Sequence, residues 1–134
     1  MLGRQECRYL AHTIAAGGAR YRPVAEVQTL DGDQAMDLSG RPRIVCTTGD
    51  TAGHFSVLLP ERGVLFAGDA LVNFDYVTGR PGLALHRFNE DRARAAESLT
   101  RLAGLDAEVV LFGHGDPWPG TPRSAVESID AGSA

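Results

Sequence analysis

Three short apolar runs in this chain end alike, in a glycine followed by a residue able to bind a metal. Ile44-Val45-Cys46-Thr47-Thr48 meets Gly49-Asp50, Val64-Leu65-Phe66-Ala67 meets Gly68-Asp69, and Val109-Val110-Leu111-Phe112 meets Gly113-His114. Such runs, rich in β-branched residues and bounded by glycine, read as buried strands. A terminal glycine lets the backbone turn sharply and lets another group approach closely. Each end alone is an ordinary turn. If the three strands run the same way, two carboxylates and an imidazole collect on one sheet edge, which is most of a metal site.

The intervening residues allow that arrangement. His54 to Leu59 reads as a strand and Pro60-Glu61-Arg62-Gly63 as a tight turn, so this stretch forms a hairpin with Val64 to Ala67. Two reversals make the second run parallel to the first. A helix precedes the third run, and a strand-helix-strand crossover returns a parallel strand.

The other elements follow from periodicity and punctuation. Residues 4 to 16 predict a helix with Cys7, Leu10, Ala11 and Ile14 on one face, stopped by Gly17-Gly18. Residues 24 to 30 and 35 to 38 predict two strands around Asp31-Gly32-Asp33. Residues 70 to 88, with Asn73 and His86, predict an irregular loop over the site edge. Asn89 is the predicted N-cap of a helix whose buried stripe is Ala95, Leu99, Leu102 and Ala103, closed by Gly104. Thr121 caps a last helix that starts at Pro122.

Composition narrows the chemistry. A length of 134 residues is one domain's worth, and a formal charge of −4 does not point to nucleic acid. All 13 basic residues are Arg, which excludes a Schiff-base lysine and a Walker A phosphate loop. Cys7 and Cys46 form no C-x-x-C pair; Cys46 lies in a strand run and reads as a buried free thiol, with a disulfide left open. Neither a secretory h-region nor an apolar run near ~20 residues occurs, so the expected location is the cytoplasm, without membrane contact. There is no G-x-S-x-G elbow, G-x-G-x-x-G fingerprint or zinc-ribbon spacing.

The segment from Thr47 to Pro60, with Gly49-Asp50-Thr51-Ala52-Gly53-His54 at its head, resembles the T-P-G-H-T-x-G-H segment of the metallo-β-lactamase superfamily. Gly63 to Leu71 is similar to the strand that ends in that family's bridging aspartate, and Phe112-Gly113-His114-Gly115 to its G-H-G segment. The resemblance covers residues ~24 to 120, in order and in spacing. It implies an α+β fold, half of an αββα sandwich, with a mainly antiparallel or mixed sheet and flanking helices. It divides the chain into an N-terminal helix and linker, 1–23, and a C-terminal half-domain, 24–134. It implies a mono- or dinuclear centre, usually zinc, that makes hydroxide at neutral pH and polarises the scissile bond. The ligands it implies here are Asp69, His114 and Asp50.

Two departures qualify this. The family's H-x-H-x-D-H motif is absent, which places the start of the chain near the middle of the family fold; His12 stands alone in a helix. Asp50 occupies a position where the family has a histidine, and Asp is shorter and harder than imidazole. His54 is expected as a site-edge, hydrogen-bonding residue. Trp118 either lines a pocket or packs the last helix, and His86 and Asn73 are further pocket candidates. A catalytic zinc usually has three protein ligands and an open position. The expected chain is therefore a truncated relative, binding zinc at best weakly and inactive alone. The alternatives are one half of a two-chain metallo-hydrolase and a non-catalytic interaction module. An apolar sheet face left bare by a half-sandwich predicts a homodimer or a complementary N-terminal half as partner. Asp50→His is expected to strengthen metal binding by restoring an imidazole.

Overall fold

The computed structural model describes residues 4–20 and 22–132. Its elements are α1 (Arg4–Ala15), β1 (Gln34–Ala35), β2 (Arg43–Cys46), β3 (Phe55–Leu59), β4 (Val64–Gly68), β5 (Val72–Asp75), β6 (Arg80–Ala84), α2 (Arg92–Ala103), β7 (Val109–Phe112) and α3 (Pro122–Gly132). A 3-10 turn, Pro60–Arg62, joins β3 to β4. One sheet has the order β1-β2-β3-β4-β7, with β4 and β7 parallel and the other pairs antiparallel. β2, β4 and β7 therefore run the same way, and their glycine ends share one edge. This is the α+β, mixed-sheet architecture with flanking helices that the sequence predicts.

Alternation along the strands sorts two faces. Val45, Leu58, Leu65, Ala67 and Val110 point to the core, where Ala95 and Leu102 of α2 and Ala125 of α3 are also buried. The opposite face carries a transverse row, Ile44 beside Val57, Val57 beside Phe66, and Phe66 beside Leu111. None of these four belongs to the buried core, and Phe66 is 43% exposed.

Four predictions of local structure need correction. Residues 24–30 form no strand: Val24 and Val27 are 75% and 74% exposed, because the segment finds no ladder partner. The strand predicted at 35–38 shrinks to the two-residue β1, paired at the edge with Arg43 and Ile44. Residues 70–88 are not irregular throughout, since β5 and β6 pair as a separate two-stranded sheet. Asp91 rather than Asn89 caps α2, its carboxylate accepting from the Ala93 and Arg94 N–H groups at 3.1 Å. Asn89 instead donates from Nδ2 to the His86 carbonyl.

Helix α1 also turns the other way. Leu10 and Ile14 are 37% and 63% exposed, and Cys7 is exposed; the helix is attached through Glu6 and Tyr9. Tyr9 packs on Tyr76 and Phe88, with ring centroids 4.9 and 6.1 Å apart. Glu6 accepts from Arg87 at 3.2 Å. The aromatic and ionic contacts available on the hairpin outweigh the thin aliphatic stripe. Cys46 is a free thiol, as expected, but half-buried rather than buried.

Asp75 ties the hairpin together. Its carboxylate accepts from the Val77 and Thr78 N–H groups, at 2.9 and 3.1 Å, and from Arg87 Nη2 at 2.5 Å. Burial pushes this carboxyl up, but the Arg87 guanidinium and the two N–H groups outweigh burial and lower it from 3.8 to about 2. A carboxyl lowered on folding stabilises the protein above its unfolded value, and the benefit vanishes as pH falls through the folded value. The expected stabilisation, up to about 2 kcal/mol at neutral pH, should disappear between about pH 4 and pH 2. Thermal melts across that range check it: Asp75→Asn should be less stable than wild type at pH 6 and nearly equal to it at pH 2.

Candidate metal centre

Asp69 follows β4 and His114 follows β7, and the two strand ends are locked by the Gly113 N–H donating to the Gly68 carbonyl at 3.0 Å. The backbones are so close that a Cβ on Gly113 would lie 2.1 Å from Asp69 Oδ1. Only glycine leaves the carboxylate its place. Oδ1 is buried and accepts no hydrogen bond, and His114 Nε2 is 3.6 Å away. A buried carboxylate oxygen without a donor is costly unless a cation sits beside it.

The third member is His86, which is 7% exposed. Asp69, His86 and His114 each offer a ligand atom, and these atoms lie within 4.8 Å of one another. Two imidazoles and one carboxylate are a common donor set for zinc and for iron(II), with a position left open. The residues present therefore fit a divalent cation, judged by the orphaned oxygen and by the donor set.

Asp50 does not join this group. Its Oδ1 accepts from His86 Nδ1, so it reaches the site only through that imidazole. The loop that carries it is fastened to the start of α2. Glu90 N–H donates to the Asp50 carbonyl at 3.0 Å, Asp91 N–H to the Gly49 carbonyl at 2.9 Å, and Ala52 N–H to the Glu90 carboxylate at 3.1 Å. This zipper brings His86, 36 residues away, against Asp50.

His54 positions Asp69. Its Nε2 accepts from the Asp69 N–H at 3.0 Å, and its Nδ1 donates to the Thr47 carbonyl at 3.1 Å. The Thr47 hydroxyl continues to Ser56 at 2.9 Å, and Ser56 donates to the Ala67 carbonyl at 3.1 Å. These partners set the tautomer with the proton on Nδ1. Asn73 serves the other strand end: its N–H donates to the His114 carbonyl at 2.9 Å and its Nδ2 to the Asp116 carbonyl at 3.0 Å. Trp118 lies away from the group. It bridges Val110, donates from Nε1 to Ser124 at 2.9 Å and packs on the core, so it fastens α3 to the sheet.

Tyr76 is the site neighbour that strand-and-turn patterning did not single out. Its hydroxyl is 2.5 Å from His86 Nε2, and its ring packs on His114 with centroids 4.4 Å apart. Burial, followed by the nearby Tyr9, Asp69 and Asp50, pushes the phenol up to about 12, so it stays neutral at physiological pH. The only sequence signal was an aromatic in a segment read as loop. A cleft of about 370 Å³ opens beside it, walled by Val72, Phe74, Leu85, His86, Arg87 and Arg92.

Comparison with known proteins bears on the fold and the family. The profile of the metallo-beta-lactamase superfamily matches residues 3–114, a stretch that includes α1. The chain is 35% identical over 104 residues to the probable metallo-hydrolase YflN of Bacillus subtilis, a match covering 72% of this chain and 39% of YflN. Its structure is similar to that of the metallo-beta-lactamase family protein TTHA1429 of Thermus thermophilus, with 30% identity and a TM-score of 0.67 over 95% of this chain and 43% of that one. It is also similar to TTHA1623, solved in a di-iron-bound form, with 25% identity and a TM-score of 0.59 over 96% of this chain and 62% of that one. The chain belongs to the metallo-β-lactamase superfamily. It spans less than half the length of YflN and of TTHA1429. Among the described residues, no helix is long and apolar enough to cross a membrane.

Proposed function

We infer that this chain carries a metallo-hydrolase site for one divalent cation, zinc by preference, held by Asp69, His86 and His114. The observation that carries the reading is the buried, unpartnered Asp69 Oδ1 with two imidazoles beside it. A bound zinc ion would polarise a carbonyl or phosphoryl oxygen and lower the pKa of a bound water. The chain's own residues hold the site in shape: His54 and Gly113 place the Asp69 carboxylate, and Asn73 places His114. Tyr76 and His86 also line the neighbouring cleft.

The four histidines of the sequence include no H-x-H-x-D-H motif, and among the described residues a second metal has no comparable donor set. Hydrolysis by this chain alone is accordingly slow or nil. Zinc loading of the purified protein, followed by elemental analysis after dialysis, should give one ion per chain. Two tightly held ions, or none, would refute the reading.

The open sheet face supports a second reading, of assembly. We assign to it a second copy of this chain, because a two-fold axis near Val57 and Phe66 would lay the row from Ile44 to Leu111 on itself. Sedimentation velocity should show a concentration-dependent dimer that Phe66→Arg dissociates. A wild-type monomer at high micromolar concentration would sink that assignment.

A further inference from the structure

The hydrogen bonds around His86 give its two ring nitrogens different tasks. A carboxylate oxygen can only accept, so the contact with Asp50 Oδ1 places the ring proton on Nδ1. Nε2 is left with a bare lone pair, and the group beside it is the Tyr76 hydroxyl, which donates to it at 2.5 Å. All three residues are held in place. The Asp50 backbone is fastened by Glu90, and the His86 carbonyl accepts from Asn89 at 2.5 Å. The Tyr76 ring lies against Tyr9 on one side and His114 on another.

We propose that Asp50 is a positioning residue that aims His86 Nε2 at Asp69 and His114, and that Tyr76 occupies this lone pair until a divalent cation takes it. The proposal rests on the one-cation reading above and adds how that site is tuned. One lone pair cannot serve a hydroxyl proton and a cation together, so loading the site must break the Tyr76 hydrogen bond. The Asp50 carboxylate stays on Nδ1–H throughout. There it keeps the tautomer that exposes Nε2 and makes the imidazole a better donor, a contribution typically worth 10- to 100-fold in metal affinity.

The two roles have opposite signs. Removing the Asp50 carboxylate should weaken binding, and so should Asp50→His, which discards the orienting acceptor; the expected gain from restoring an imidazole at position 50 is thereby reversed. Removing the Tyr76 hydroxyl should tighten binding about fivefold, the worth of one hydrogen bond that no longer has to be broken.

The test is competition between the protein and a chromophoric chelator for zinc, using wild type, Asp50→Ala, Asp50→Asn, Asp50→His, Tyr76→Phe and Asp69→Ala. It is paired with the zinc-induced tyrosine ultraviolet difference spectrum and with ¹⁵N spectra of the His86 ring. Asp50→Ala should lose 10- to 100-fold in affinity and Asp50→Asn less, because an amide oxygen can still accept from Nδ1–H. Wild type should show a tyrosine difference signal on zinc addition that Tyr76→Phe lacks, with the His86 Nδ1 proton retained. Weaker zinc binding by Tyr76→Phe, or no tyrosine signal in wild type, would overturn the proposal even if the Asp50 variants misfold. If Asp69→Ala abolishes binding while Asp50→Ala and Tyr76→Phe match wild type, this proposal fails and the one-cation site stands. If Asp69→Ala binds zinc as wild type does, the site itself is wrong.

Discussion

Asp69→Ala should lower zinc affinity by on the order of 100-fold or more, and should leave the metal-free protein at least as stable as wild type. The two halves of this result have one cause. Asp69 Oδ1 is buried, and no protein donor reaches it within hydrogen-bond distance. In the metal-free protein it is an unsatisfied acceptor, and such a group typically costs about 1–3 kcal/mol. Truncation removes that cost. The Asp69 N–H, a backbone group, keeps its bond to His54. Chelator competition measures the first half, and thermal melts in excess chelator measure the second. A drop of several degrees in the metal-free melting temperature would show that the carboxylate is a structural group with partners of its own.

Gly49→Ala should be the most damaging small substitution in the chain, costing more than about 3 kcal/mol. A Cβ there would lie 2.3 Å from the Ala95 nitrogen and 2.4 Å from its Cα, both helix backbone atoms that cannot rotate away. The residue also has φ of +136°, a conformation that side chains rarely adopt. To admit the methyl group, α2 would have to lift from the sheet. That would break the bond from Ser98 Oγ to the Thr48 carbonyl at 2.7 Å and open the packing of Leu102. The zipper from residues 49–52 to Glu90 and Asp91 would go with it, and so would the alignment of Asp50 with His86. The urea midpoint and zinc affinity should therefore fall together. Gly53→Ala, in the same loop with nothing within 4 Å of the new Cβ, is the control and should change both very little.

Much of this arrangement was legible along the chain. The glycine-ended runs are β2, β4 and β7, and their shared direction followed from counting reversals and one crossover. That worked because strand alternation, tight turns and a connecting helix are all local features. Asp69 and His114 sit where their strands end, so their meeting needed only the parallel pairing of β4 with β7. The failures were of another kind. The expected strand at 24–30 has suitable residues but no neighbour, and strand propensity without a ladder is not a strand. The α1 stripe of Cys7, Leu10, Ala11 and Ile14 has helical spacing, yet Tyr9 found Tyr76 and Phe88, contacts that no periodicity displays.

By itself, the sequence determined the strand ends, their common edge and the family to which they belong. It also raised the expectation that Asp50 stands where that family has a histidine. Only the tertiary structure decided what Asp50 does. It lies 36 positions from His86, and the two meet because the backbone of residues 49–52 bonds to the backbone N–H groups of Glu90 and Asp91 and to the Glu90 carboxylate, across the space between a strand end and a helix start. Tyr76, too, takes its place at the site through ring packing with partners distant in sequence. Local patterning reports which face a side chain is suited to. Which donor finally stands beside which acceptor is set by long-range packing, and it is that packing which brought a second imidazole, that of His86, to the edge the strands had prepared.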